Sequence, residues 1–455
     1  MPDRRWTNPT ARALLILAIA ALSACSGAGA LPGRAPSAVA PQSHRASDVA
    51  TAQPGDNMQG LPGDNMQGLP GDTAMGMPGD NMQGLPGDNM QGLPGDNMQG
   101  LPGDNMQGLP GENMQGLPGA TFGCPGLPPA GSAKCTVAIN QNVPPVPDPN
   151  LSPAMIAGWH PADLQAAYGL PAQNAGQVVA VVDAFDSPTA ESDLAVYRAA
   201  FGLPACTTNN GCFRKVDQHG GTAYPVANTG WAEEIALDLD MVSAACPRCS
   251  ILLVESNSAL MDDLGAGVDT AVSLGAKIVS NSYYAPEWSG ESAEEVHYRH
   301  PGVALTASSG DRGYPSYPAT SAWVTSVGGT SLARSGGGWS ESAWKYAGHG
   351  CSAQIRRPTW QSVPCKMRSG VDVAAVADPQ TGVSMFDAQA GGWLVAGGTS
   401  VGAPLIAGAY ALSGTPAGPW YSYSYARRGS FHPLTTNGRY TLATGLGSPN
   451  GVSGL

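Results

Sequence analysis

The sequence predicts an α/β fold, a parallel sheet with helices on both faces, preceded by a disordered repeat tether. Three observations lead to it. Runs rich in Val, Ile and Leu at Gln177–Phe185, Ser250–Glu255, Lys277–Tyr283 and Gly302–Ser308 read as strands apolar on both faces. Helical stretches at Ala190–Phe201, Trp231–Ala245 and Met261–Leu274 fall between them, and such alternation builds parallel sheets. Upstream, Gly55 to Pro118 is eight copies of an octapeptide, mostly GDNMQGLP, whose Gly and Pro forbid helix and whose units offer no alternating strand face. In parallel α/β sheets a site lies at the carboxyl ends of the strands.

Taken from the N-terminus, Arg4, Arg5 and Arg12 flank a short apolar run, Ala13 to Ala24, too short to span a bilayer and suited to a cleaved signal. It ends in Leu22-Ser23-Ala24-Cys25, which resembles the bacterial lipoprotein box. That resemblance implies a membrane partner through lipid on Cys25 and, with Ser26 next, an outer-membrane or cell-surface location. The expected division is residues 1–24 as lipoprotein signal, 25–54 as linker and 55–118 as repeats. Residues 119–154 form a Pro-rich lead-in over the surface, and 155–455 form the folded domain. The net charge is −12, and the repeat tract, with seven Asp, one Glu and no Lys or Arg, supplies −8 of it, which leaves −4 for the rest. A nearly neutral folded part without a basic stripe excludes a nucleic-acid surface.

Eight further cysteines in an exported chain read as disulfides. Pairing neighbours closes four short loops: Cys124–Cys135, Cys206–Cys212, Cys246–Cys249 and Cys351–Cys365. The Cys246-Pro-Arg-Cys249 spacing also suits a redox or zinc half-site, but no second pair or nearby His completes one.

Three elements carry chemistry. On the helix Trp231–Ala245, Glu234 and Asp238 lie about 40° apart on a helical wheel, amid Ile235, Leu237, Met241 and Val242. Glu233 and Asp240 fall on the other side. Carboxylates one turn apart in an apolar stripe can share a proton, which raises the pKa of one member. Next, Gly397-Gly398-Thr399-Ser400 leads into an apolar helix from Ser400 to about Leu412, so Ser400 sits where backbone N–H groups favour a developing oxyanion. Third, Ser309-Gly310-Asp311 forms a turn directly after the strand Gly302–Ser308.

Together these motifs resemble the sedolisin family of serine-carboxyl peptidases. The E-x-x-x-D helix matches Glu234 to Asp238, the S-G-D turn matches Ser309 to Asp311, and G-T-S-x-x-x-P matches Gly398 to Pro404. Supporting matches include Tyr317-Pro318-Ala319, Val327-Gly328-Gly329-Thr330 and Thr444-Gly445-Leu446-Gly447-Ser448-Pro449. The resemblance implies a subtilisin-like fold, protein or peptide substrates, and an acyl-enzyme mechanism in acid. It assigns Ser400 as nucleophile, Glu234 as general base, Asp238 as its partner and Asp311 as oxyanion donor. Tyr283 stands where the family has a Trp that extends the triad network. The family's folded prosegment has no counterpart here beyond the tether and lead-in. Its late calcium site is expected to be lost, because no Asp or Glu follows Asp387 and Thr441 stands where a late Asp would fall; no cofactor is expected.

Two other readings stay open at this level. Asp183 ends the first strand and either joins the triad network or only closes the strand. With His219 of His219-Gly220-Gly221-Thr222 and Ser400 it would make an ordinary subtilisin triad. A surface lipoprotein that binds rather than cuts is the other.

Overall fold

The computed structural model describes residues 117–171, 177–414, 417–426, 429–434 and 440–455. The candidate signal, Cys25, the linker and nearly all of the repeat tract lie outside the described residues.

A central eight-stranded sheet organises the chain. Its strands are β1 (Val178–Ala184), β2 (Phe213–Asp217), β3 (Ser250–Ser256), β4 (Ile278–Asn281), β5 (Ala304–Ser308), β6 (Val324–Ser335), β7 (Gly338–Ala343) and β8 (Val373–Val376). The spatial order is β7-β6-β5-β4-β1-β3-β2, with β8 also on β6. Every pairing is parallel except the β6–β7 hairpin. The four strands expected from the sequence are present within one or two residues at most ends. The run Lys277–Tyr283 divides into β4 and a separate strand, Tyr283–Pro286, that leaves the sheet. The edge strand β2 and the strands after Ser308 were not anticipated. Arg214 and Lys215 interrupt β2's apolar run, and glycines interrupt β6, so neither matches a strand template.

Alternation along β1 sets the two faces. Val182 faces α3 (Met261–Ser273), where Gly267 lies so close that a Cβ would meet Val182 Cγ1 at 2.8 Å. The next residue, Asp183, therefore points to the opposite face, which is covered by α2 (Thr229–Ala245) and α4 (Gly402–Ser413). Helix α1 (Ala190–Ala200) packs on the outside of α2. Helices α2 and α4 approach closely at Gly408, where a Cβ would stand 2.5 Å from Ala245 Cβ. This central helix pair explains one departure from the wheel. Asp240, expected on the outer side of α2, is buried, accepts a hydrogen bond from Phe386 N at 3.0 Å, and lies near Arg198. A second, four-stranded sheet that includes Val383–Asp387 and Gly392–Gly397 packs on α2, so the helix has almost no solvent face.

All four neighbour disulfides form as expected: Cys124–Cys135, Cys206–Cys212, Cys246–Cys249 and Cys351–Cys365. No helix among the described residues is long and apolar enough to cross a membrane.

The lead-in departs most from expectation. Its Pro-rich parts are largely exposed, but Ala133 to Asn140 is buried throughout. Lys134–Cys135 pairs antiparallel with Tyr283–Tyr284, and Ala138–Asn140 enters the second sheet between Ala120–Phe122 and Gly392–Gly397. The sequence Cys-Thr-Val-Ala-Ile-Asn is rich in β-formers. It is a strand embedded in loop-like composition.

Candidate active site

Asp183 is the penultimate residue of strand β1, helix α2 presents Glu234 and Asp238 on the same side, and all three carboxyls are fully buried. Burial pushes Asp183 up to about 8. Burial first, then the neighbouring Asp183, raises Glu234 and Asp238 well above the carboxylate range. Neither oxygen of Asp183 or Asp238 has a hydrogen-bond partner among the described residues, and neither does Glu234 Oε1. Burial and mutual repulsion thus favour the protonated forms of this cluster. Asp183 lies near enough to raise both Glu234 and Asp238.

Ser400 lies in the turn that precedes α4, which begins at Gly402, two residues later than expected. Its Oγ reaches Ser282 O at 3.4 Å and contacts Thr136 Oγ1. The Ser400 hydroxyl is also close enough to Glu234 to favour that carboxyl's ionised form. Glu234 Oε2 accepts N–H bonds from Thr136 and Val137, both at 2.7 Å.

Asp311 lies in the turn after β5 and binds Thr399, the residue before Ser400. Its Oδ1 accepts from Thr399 N at 2.9 Å and Thr399 Oγ1 at 2.7 Å, while its buried Oδ2 has no partner. Burial pushes this carboxyl up to about 7, partly offset by its bonds to Thr399. Protonated, it can donate only from the unpartnered Oδ2. Gly398, at φ +94°, makes the approach possible: a Cβ there would lie 1.8 Å from Thr136 O and 2.9 Å from Asp311 Oδ2. A small cavity beside Asp311 is lined by Phe122, Lys134, Thr136, Tyr284 and Arg312.

The structure thus brings Glu234, Asp238, Asp311 and Ser400 together and adds Asp183. It separates His219 from them. That residue is exposed in the turn after β2, where its N–H bonds Asp217 Oδ1 at 2.8 Å. Tyr283 lies near enough to Asp183 for that carboxyl to add to burial in raising the phenol's pKa. Its hydroxyl bonds Asn281 Oδ1 at 2.8 Å and Tyr298 at 3.2 Å, while its ring packs near Trp231. Sequence reasoning missed Thr136, Val137, Lys134 and Ser282. The one available signal was the β-rich run beside Cys135.

No protein-family model matches the sequence, and no curated protein matches it. Among solved structures, a Pseudomonas sedolisin (serine-carboxyl proteinase), complexed with two molecules of pseudo-iodotyrostatin, is similar. It has a TM-score of 0.56 and 21% identity, covering 65% of this chain and 96% of that one. Fervidolysin from Fervidobacterium pennivorans, a keratinolytic enzyme related to subtilisin, gives a TM-score of 0.45 at 18% identity, covering 70% of this chain and 50% of that one. The sheet order, the crossing helices and the likeness to the Pseudomonas protein establish that this chain has a subtilisin-like fold.

Proposed function

We propose that this protein is a serine peptidase acting in acid on protein or peptide substrates, through an acyl-enzyme on Ser400. The observation that carries the reading is a serine hydroxyl beside a buried carboxyl of a cluster, next in sequence to the residue that binds a second carboxyl with a free, buried oxygen. Glu234 takes the Ser400 proton as Oγ attacks the substrate carbonyl carbon. Glu234 must be the ionised member of the cluster to do so, a form its bond from the Ser400 hydroxyl favours, while Asp183 and Asp238 stay protonated; it then returns the proton to the leaving amine. The C–N bond breaks, and water, activated by the same carboxyl, releases the acid product. Protonated Asp311 donates from Oδ2 to the oxyanion of each tetrahedral intermediate. The oxyanion donor is lost when Asp311 ionises, so activity falls as pH rises through about 7.

The test is digestion of a denatured protein at pH 3–5 and at pH 8, with Ser400→Ala as control. Cleavage confined to the acid range and abolished by the substitution supports the reading. Equal products from wild type and Ser400→Ala would remove it. His219 is exposed and belongs to no part of this mechanism, so His219→Ala is expected to keep kcat/KM within about twofold. Strong loss would restore the histidine triad.

Further parts of the reading concern the rest of the chain. Lipid on Cys25 would tether the domain at an outer-membrane or cell surface. The expected loss of the calcium site rests on the sequence, which has no Asp or Glu after Asp387; Thr441 Oγ1 contacts Thr444 Oγ1 at 2.7 Å. Excess chelator is therefore expected to leave both the melting temperature and the activity unchanged. A melting temperature lowered by chelator and restored by calcium would show that the site persists.

A further inference from the structure

We infer that Ala133–Asn140 is a built-in occupant of the peptide cleft, held by the Cys124–Cys135 staple, and that it blocks the site without being a substrate. The inference rests on the peptidase reading for its consequence, but the occupancy stands on geometry. Tyr283–Pro286 offers a strand edge beside Ser400, and an extended peptide would bind there by adding a strand. That edge is taken, because Lys134 and Cys135 pair with Tyr284 and Tyr283. Further along, Ala138 and Ile139 pair with Gly397 and Ala396, next to the Gly398 turn. The segment thus runs from one side of Ser400 to the other.

Its register at the centre is unproductive. Ser400 Oγ faces the Thr136 side-chain hydroxyl instead of a carbonyl carbon. Glu234 Oε2, an oxygen a general base would use, is filled by the N–H groups of Thr136 and Val137. Thr136 therefore contacts both the nucleophile and its base, and Val137 contacts the base. Several ties keep it in place. Cys135 is joined to Cys124, and its Sγ lies 3.5 Å from Gly230 O. The buried Lys134 ammonium donates to Gly126 O at 2.6 Å, beside Arg312, which donates to the same oxygen at 2.9 Å. The staple closes an eleven-residue separation, so the strand cannot withdraw without moving the whole Cys124–Cys135 loop. A tethered occupant competes at high effective concentration with any peptide in solution.

The experiment compares wild type with C124S/C135S at pH 4, using a quenched fluorescent peptide pool, hydrogen exchange over 133–140, and intact mass. Slow exchange in wild type, an uncut segment, and at least a tenfold rise in kcat/KM in the unstapled variant are expected. The synthetic peptide of residues 133–140 should then raise KM of that variant without changing kcat. If the unstapled variant does not fold, Thr136→Gly, with the disulfide intact, removes the contact on Ser400 and should raise kcat/KM in the same direction. Fast exchange over 133–140 in folded wild type, or cleavage within it, overturns the inference. Ser400-dependent turnover that is equal in wild type and every loosened variant also overturns it. Slow exchange with no Ser400-dependent turnover in any variant upholds the occupancy and removes the peptidase reading instead.

Discussion

Ser400→Ala is expected to lower kcat by roughly 10⁵-fold or more, as loss of a nucleophile does in serine peptidases. Glu234→Gln is expected to come close to the same loss. The amide keeps an oxygen that can accept from Thr136 and Val137, so the fold and the local contacts persist. It cannot take a proton from Ser400, so the attacking alkoxide is not generated. Because groups that act as a unit are not additive, Ser400→Ala with Glu234→Gln should be no slower than Ser400→Ala alone. Measurement is by turnover of a fluorogenic peptide at pH 4 in the C124S/C135S background, where the cleft is expected to be open. Retention of activity within tenfold by Glu234→Gln would reassign the base. Glu233, one residue earlier on α2, is half-buried and is the control: Glu233→Gln should behave as wild type.

The second large effect concerns stability and its sign with pH. Burial raises Asp183 to about 8, Asp311 to about 7 and, with Glu287 beside it, Glu291 to about 9. It raises Glu234 and Asp238 in the same direction. In the unfolded chain carboxyls titrate near 4. Between about pH 4 and the raised values, the folded state therefore binds more protons than the unfolded state. The slope of unfolding free energy with pH is then negative. The contribution is fully present below about pH 4 and is lost as pH rises through 7 to 9. Each pKa unit corresponds to about 1.4 kcal/mol per group, so the loss amounts to several kcal/mol. The melting temperature should fall by ten degrees or more, roughly, between pH 4 and pH 8. Calorimetry at the two pH values checks this, and Asp183→Asn should flatten the dependence. A domain more stable at pH 8 than at pH 4 would contradict a cluster held protonated by burial.

Acid function and acid stability thus have one origin. The same desolvation that keeps Asp311 protonated for donation makes the carboxyl core costly to ionise. A histidine in place of Glu234 would be mostly cationic near pH 4, given an ordinary pKa of about 6.5. The exposed position of His219 fits its having no part in that core.

Several features were legible because they are local. Strand β1 is a run of buried β-branched residues, and its hydrophobicity needs no partner to be recognised. Asp238 follows Glu234 by one helical turn, so α2's periodicity alone places both on one side. The four disulfides close short loops, so proximity along the chain sufficed. The turns that hold Asp311 and Ser400 carry Gly310 and Gly398 with positive φ, a backbone state glycine adopts without steric cost.

Other features depended on what packs against what. Asp240 looks solvent-facing on α2 until the second sheet covers that side. Arg214 and Lys215 hide the edge strand β2, because an edge tolerates charge that a central strand does not. The occupant of the cleft was the least legible. Thr136 meets Ser400 across 264 residues of sequence, and Val137 meets Glu234 across 97. A strand's pattern states that it will pair but not with which edge, since backbone hydrogen bonds carry no residue code. Residue order alone therefore settled four central strands, the placing of Glu234 and Asp238 on one side of α2, and the disulfides. Three-dimensional packing alone settled that Ala133–Asn140 contacts both Ser400 and Glu234, because distant backbone groups find partners only when the whole sheet is assembled.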